Sequence, residues 1–201
     1  MHKKLLVAAL SAALFVPLAA QSKTLRWASQ GDILTLDPHA QNEGLNIAAS
    51  SYVYETLVAY DKDFQITPTL ATEWETPSDT LWRFKLREGV KFHDGSDFTA
   101  EDAAFSIKRA MAPTSNFKAY VNGIKDARAT DSHTLEIELD GPNPVLLRQL
   151  TNVFIMSKAW AEANNTTSPQ DFTKKEETYS ARNAMGTGPY KPVSYTHLRA
   201  H

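Results

Sequence analysis

The chain has 201 residues and carries 21 Lys and Arg against 23 Asp and Glu, so its net charge is -2 and it offers no basic surface for nucleic acid. Its hydrophobic fraction of 42% is ordinary for a soluble globular protein, and its length suffices for one sizeable core or two smaller ones. It contains no cysteine, so we expect neither disulfide bonds nor a lipid anchor attached through cysteine.

The first 22 residues have the layout of a secretory signal peptide. Lys3 and Lys4 precede an apolar run from Leu5 to Ala20, which small residues close. This run is shorter than the roughly 20 consecutive apolar residues that a membrane-spanning helix needs. We therefore expect residues 1–22 to direct export and the rest to be an unanchored periplasmic protein. A buried N-terminal helix is the alternative.

The next elements alternate between extended and helical patterns. Residues 24–29 place Leu25 and Trp27 on one face, which predicts a strand. Residues 31–44 contain Gly, Asp-Pro and Asn, which predict a long loop. From residue 45 to residue 60, apolar side chains recur at helical spacing, and we predict a helix there.

Two later segments alternate clearly and predict strands with one buried face. Apolar and basic residues alternate over residues 81–92, and apolar residues alternate with Glu136 and Glu138 over residues 134–139. The side chains predicted to point inward are Trp82, Phe84, Leu86, Leu135, Ile137 and Leu139.

Helices are predicted between and after these strands. Thr99 is a good N-cap for a helix that ends before Pro113, Pro144 starts a short helix, and Ser157 caps another. Residues 164–183 are polar and poorly periodic, so we interpret them as an excursion over the surface. Mixed strands and helices predict an α/β or α+β fold.

His93 and Asp94 form the pair that most resembles a reaction centre. A metal site would need further ligands, and His39 and His133 lie far away in the sequence. No G-x-S-x-G nucleophile motif is present. Because Asp followed by Gly95 is typical of a tight turn, we interpret the pair as a turn and predict no catalytic or metal site.

The sequence GTGPY at residues 186–190 has two glycines, which raises the possibility of a phosphate loop. It lacks the Lys and Ser or Thr of that motif, and no helical pattern follows it. Pro189 favours an extended path. The glycines therefore predict a crossover at which two backbones approach closely.

Five blocks of sequence, in a fixed order, resemble the family 5 solute-binding proteins of ABC importers. They are TLRWASQGDILTLDPH, YETLVAYDKDFQITPTLATEWE, LWRFKLREGVKFHDGSDFTAEDAAFSIKRA, HTLEIELDGPNPVLL and GTGPY. The resemblance runs from about residue 24 to about residue 191. It implies an α/β fold of the class II periplasmic binding proteins, in which two lobes on a hinge close around a solute.

The resemblance also implies domain boundaries. Residues 23–55 would begin lobe I, residues 56–183 would form a smaller inserted domain, and residues 184–192 would return to lobe I. Chains of the family are more than twice as long, so we expect a truncated, N-terminal fragment. Residues 193–201 match neither the family nor a strand pattern and resemble a translated sequencing adaptor, so we expect a non-native tail.

By the same resemblance, the loop that follows LDPH faces the solute cleft. We therefore expect Gln41, Asn42, Glu43 and Gly44 to contact the solute, with Tyr120 as a further ligand-binding residue. Glu43 would meet a cationic group of the solute. The alternative for Glu43 is a solvated carboxylate near a helix start.

The implied function is the capture of di- or oligopeptides and their delivery to ABC permease subunits in the inner membrane. The chain would catalyse no reaction, need no cofactor and be a monomer at full length. The alternatives are the same fold binding nickel, glutathione, an opine or a sugar, a secreted hydrolase, or a periplasmic chaperone or signalling receptor.

Overall fold

The computed structural model describes residues 23–174 and 177–194. The predicted signal peptide, residues 1–22, and most of the predicted non-native tail lie outside the described residues. Within the described ranges, no helix is long and apolar enough to cross a membrane.

Helices and short strands follow one another in mixed order, as predicted. The helices are α1 (Gly44–Val53), α2 (Ala100–Met111), α3 (Leu146–Leu150), α4 (Lys158–Ala163) and α5 (Tyr179–Arg182), with a 3-10 turn at Lys118–Tyr120. The strands are β1 (Val58–Tyr60), β2 (Ile66–Pro68), β3 (Ala71–Ser78), β4 (Leu81–Leu86), β5 (Ile124–Asp131) and β6 (Thr134–Leu139).

A four-stranded antiparallel sheet organises the core. Its strand order is β3-β4-β6-β5, and α2 packs across β5 and β6. The inward face predicted for β4 and β6 is confirmed, because Phe84, Leu135 and Ile137 are fully buried on the face that meets the core. The apolar area removed from water on this face is the main stabilising contribution of the sheet.

The opposite face of the sheet carries charges, and one of them is buried. Glu136 was predicted to point into solvent, but its side chain is only 8% exposed. Its Oε1 accepts from Arg83 Nη2 at 2.8 Å and its Oε2 accepts from Arg128 Nη2 at 2.6 Å. The hydrogen bond from Arg83 holds the pKa of Glu136 below its usual value. The flanking guanidinium groups cover the carboxylate, which corrects the prediction.

Helix α2 begins and ends as predicted. Thr99 is its N-cap, and the Thr99 amide donates to Asp102 Oδ2 at 2.9 Å in a capping box. Along the helix, Ala103, Ile107 and Ala110 are fully buried against the sheet. Acidic residues in the first turn and basic residues in the last turn complement the helix dipole.

The two shorter helices with predicted starts are also confirmed. Helix α3 begins two residues after Pro144. Ser157 is the N-cap of α4, where its Oγ accepts from the Trp160 amide at 3.2 Å. The start of α4 follows from local capping chemistry. The N-cap of α3 is Val145, which offers no side-chain cap, so Pro144 marks that start only by its place just before the helix.

Two element predictions near the N-terminus are wrong. The predicted helix of residues 45–60 ends at Val53, because residues 58–60 pair instead with residues 66–68 in an antiparallel hairpin. The predicted strand of residues 24–29 is not a strand, since no strand of the described chain pairs with it. A strand needs a hydrogen-bonded neighbour, which a periodic pattern cannot supply.

Candidate functional site

The predicted solute loop lies directly before α1. Gln41 is half-buried, whereas Asn42, Glu43 and Gly44 are exposed. Glu43 occupies the N-cap position of α1, but its side chain makes no capping hydrogen bond. Among the described residues, its carboxylate has no hydrogen-bond or ion-pair partner and is therefore available to a cation from outside.

Tyr120 lies next to this loop, as expected if both contribute to one site. Its hydroxyl donates to Asn42 Oδ1 at 3.2 Å, across 78 positions of sequence. Tyr120 closes the 3-10 turn and its ring packs on Phe117 at a centroid separation of 5.6 Å. The two predicted segments are thus neighbours, while their role in binding solute stays a prediction.

A buried ionic cluster lies at the base of the loop. Arg109 Nη1 donates to Asp37 Oδ1 at 2.7 Å and Arg109 Nη2 donates to Asp37 Oδ2 at 2.6 Å. Both side chains are fully buried. Burial raises the pKa of Asp37, but the charge and hydrogen bonds of Arg109 outweigh that effect, so the net pKa lies below its usual value.

His39 belongs to the same cluster, and its partners determine its tautomer. Its Nδ1 lies 3.1 Å from Arg109 Nη1, which can only donate, so Nδ1 accepts. Its Nε2 therefore carries the proton and donates to the Phe154 carbonyl at 2.9 Å. Burial, and next the nearby Arg109 charge, lower the pKa of His39 to about 3. With both nitrogens engaged, this imidazole is a neutral structural group.

The segment predicted as a surface excursion supplies further partners of the cluster. Gln170 N donates to Asp37 Oδ2 at 3.2 Å, and Ser180 Oγ donates to the same oxygen at 2.7 Å. Thr166, Gln170 and Ser180 are buried. The surface prediction is therefore wrong for these positions, because their polar groups are hydrogen-bonded inside the protein rather than hydrated.

One sequence pattern indicates this cluster, but it consists of polar residues and is missed when only apolar periodicity is considered. Asp102, Ser106 and Arg109 lie at spacings of four and three, which puts them on one side of α2. All three are buried. Asp102 Oδ1 accepts from Lys158 N at 2.9 Å, and Ser106 Oγ accepts from Met156 N at 3.0 Å. The polar side of α2 therefore binds the backbone of the segment around Met156 and Lys158.

The turn predicted at Asp94–Gly95 is confirmed. Asp94 Oδ1 accepts from the Ser96 amide at 2.9 Å and from Ser96 Oγ at 2.6 Å, and Gly95 has a φ of 90°. The Ser96 hydroxyl, through its hydrogen bond, lowers the pKa of Asp94. His93 points away from this turn: its Nε2 donates to the Gly188 carbonyl at 2.8 Å, and its amide donates to the Gly186 carbonyl at 3.1 Å.

The close backbone approach predicted for GTGPY is also confirmed. Gly188 N donates to the Val53 carbonyl at 2.9 Å and Tyr190 N donates to the Tyr52 carbonyl at 3.0 Å. A Cβ atom on Gly186 would lie 2.0 Å from Val53 O, so a side chain does not fit there. The glycines serve chain packing between the end of α1 and the returning segment.

Within residues 23–174 and 177–194, no group of three or more His, Cys, Asp or Glu side chains is placed so that it could hold a metal ion.

Comparison with known proteins gives one consistent result. Residues 65–200 match the family model of bacterial extracellular solute-binding proteins, family 5 Middle. The glutathione-binding protein GsiB of Escherichia coli O6:K15:H31 is 30% identical over 194 residues, which cover 94% of this chain. The match covers 36% of that relative, so the chain spans about a third of the relative's length.

Solved structures of periplasmic binding proteins share the fold. The protein AgaA of A. tumefaciens R10, in complex with agropinic acid, matches 84% of this chain with a TM-score of 0.72 and 26% identity. The protein DppA of Helicobacter pylori, in complex with the peptide STSA, matches 81% with a TM-score of 0.65 and 29% identity. The matches cover 33% and 35% of those chains.

The predicted class, an α/β fold of the periplasmic binding proteins, is thereby confirmed. The sheet, the helix α2 that packs on it and the glycines of the crossover fall within residues 65–200, which match the family model. The chain belongs to family 5 of the bacterial extracellular solute-binding proteins.

Proposed function

We propose that this chain is part of a periplasmic binding protein that captures small peptides for an ABC importer. The observation that carries the proposal is the match of almost the whole chain to a glutathione-binding protein. Glutathione is a tripeptide, and the Helicobacter protein is named in complex with a peptide as well. Agropinic acid, named with AgaA, marks opines as the other solute class to test.

The loop at residues 41–44 is proposed as one wall of the solute site. It offers an amide at Asn42 and a carboxylate at Glu43, which suit the hydrogen-bonding groups and the terminal ammonium of a peptide. An exposed ion pair contributes little in water. When a second lobe closes over the solute and removes water, the same pair becomes stronger. Solute that contacts both lobes thus favours the closed state.

The proposed domain boundaries have support in the backbone crossover. Residues 23–55 would begin lobe I, residues 56–183 would form the second domain and residues 184–192 would return to lobe I. The hydrogen bond from Gly188 to Val53 lies where the outgoing and returning segments run side by side. Two adjacent crossing segments with few side chains between them suit a hinge, because small changes in φ and ψ there move whole domains.

The proposal assigns no catalysis to the chain. Residues 1–22 would direct export, the solute-loaded protein would dock on permease subunits in the inner membrane, and those subunits and their ATPases would perform transport. A monomer is sufficient for this cycle, since each molecule carries its own cleft.

The test is a thermal-unfolding screen of the full-length gene product. Glutathione, a set of di- to tetrapeptides, agropinic acid and nickel with histidine are added separately. A bound solute raises the melting temperature as its concentration rises, with about 2.7 kcal/mol of stabilisation at 100 times Kd. A shift with glutathione or peptides supports the proposal. A shift with only an opine or nickel replaces the peptide assignment, and no shift with any solute refutes it.

A further inference from the structure

Residues 115–120 form a series of hydrogen bonds with the chain that leads into the solute loop, residues 41–44. Asn116 N donates to the His39 carbonyl at 3.1 Å, and Asn116 Nδ2 donates to the Ala40 carbonyl at 2.5 Å. Ser115 Oγ donates to the His39 carbonyl at 3.4 Å. Together with the bond from Tyr120 to Asn42, these contacts accompany the chain from residue 39 to residue 42.

The two sides of the loop are held by different means. On the side before the loop, the Asp37–Arg109 pair and His39 anchor the backbone in the core, where all three side chains are buried. On the side after it, Asn46 of α1 donates through Nδ2 to the Thr35 carbonyl at 3.0 Å and closes the loop onto its own start. Between these anchors, residues 41–44 make few bonds of their own.

We propose that Asn116 is a positioning residue for the solute loop, acting through its hydrogen bond to Ala40. The inference rests on the proposed function, since it assumes that residues 41–44 contact solute. Asn116 does not need to touch the solute. Its amide sets the direction in which the backbone leaves the buried cluster and thereby places Asn42 and Glu43. A loop that is already ordered loses less conformational entropy when solute binds.

Asn116 is a better test of this idea than Arg109. Removal of Arg109 leaves a buried unpaired carboxylate and threatens the fold itself. Asn116 is exposed, and its backbone bond to His39 survives substitution. Asn164 offers a matched control, because its Nδ2 also donates to a backbone carbonyl, that of Trp160 at 2.8 Å, and it lies far from the loop in the sequence.

The first experiment measures the loop without any solute. Hydrogen exchange of the full-length gene product reports on peptides that span residues 39–46. With Asn116→Ala, the amides of this stretch should exchange about threefold to tenfold faster, as expected for the loss of one net hydrogen bond. With Asn164→Ala, exchange there should be unchanged. Equal exchange of the loop in both variants overturns the proposal.

The second experiment measures affinity by calorimetry, with glutathione and trialanine as the probes. Asn116→Ala should bind about threefold to tenfold more weakly than the wild type, while the melting temperature of the solute-free protein stays within about 2 °C. Unchanged affinity overturns the proposal, and so does a loss of affinity that only follows a loss of melting temperature. If the wild type binds neither probe, the result counts against the proposed function. The hydrogen-exchange experiment, which needs no solute, then still tests whether Asn116 orders the loop.

Discussion

The imidazole of His93 and the carbonyl of Gly188 are joined by a 2.8 Å hydrogen bond across 95 positions of sequence. The bond fastens the turn that precedes α2 to the segment that returns past the end of α1. A residue that resembles a catalytic histidine in sequence therefore acts as a tie between two distant parts of the chain.

Replacing His93 with Ala should lower the free energy of unfolding by about 1–3 kcal/mol, because the Gly188 carbonyl loses its donor. Urea unfolding at neutral pH measures the effect. His133→Ala is the matched control, since no hydrogen bond of the His133 side chain exists within the described chain. Equal stability of the two variants would contradict the assignment of His93 as a tie.

Gly186→Ala should be strongly destabilising. The new Cβ would lie 2.0 Å from Val53 O, and either the crossover or the end of α1 must move. We expect a loss of at least about 2–3 kcal/mol, seen in urea unfolding. Gly141→Ala is the control, because its Cβ would meet no heavy atom within 4 Å. A fully stable Gly186→Ala protein would show that the crossover is not as close as described.

Arg109→Met should cost about 3–5 kcal/mol, because Asp37 is left as a buried carboxylate without its cation. The measurement is again urea unfolding, or the soluble yield if the variant no longer folds. Lys62→Met removes the cation of an exposed pair with Asp63, where both side chains are mostly in solvent. It should change stability by less than about 0.5 kcal/mol. Similar costs for both variants would argue against the buried cluster.

Acid should weaken the fold through His39. The pKa of His39 falls from 6.5 in the unfolded chain to about 3 in the folded protein, so between these values the unfolded chain binds the extra proton. Stability from this group is therefore present above pH 6.5 and decreases as pH falls toward 3. The loss should be roughly 2 kcal/mol between about pH 7 and about pH 5.

The pH dependence is measured as unfolding free energy at a series of pH values. His39→Gln should flatten the slope between pH 6.5 and 3, because Gln does not titrate. Asp37 causes a second loss of stability below about pH 3.8, because its pKa is depressed in the folded state. The Asp37 carboxylate of the unfolded chain then takes up a proton before that of the folded protein does. An unchanged slope in His39→Gln would contradict the buried neutral imidazole.

Glu43→Gln tests the direct solute contact. If its carboxylate meets the terminal ammonium of a peptide, affinity in the full-length gene product should fall about tenfold. Peptides with an acetylated N-terminus should bind both proteins equally. Glu73→Gln, an exposed carboxylate on β3, is the matched control and should bind like the wild type. Equal affinity of all three proteins for free peptides would remove Glu43 from the site.

Local patterns determined a large part of this structure. The inward face of β4 and β6, the cap of α2 at Thr99, the turn at Gly95 and the close crossover at Gly186 were all predictable. The first two depend on side chains that lie within a few residues of one another. The other two depend on glycine, which adopts a positive φ at Gly95 and leaves room for a close backbone at Gly186. Family membership was predictable for a related reason, since several such patterns occur in a fixed order.

Tertiary structure decided the rest, because the deciding partner is distant in the sequence. Residues 58–60 became a strand rather than the end of a helix when residues 66–68 paired with them, and residues 24–29 found no such partner in the described chain. The cluster of Asp37 and Arg109 joins groups 72 positions apart. A buried charge is stable only where its counter-charge and hydrogen bonds converge in space, and a linear pattern does not contain that convergence.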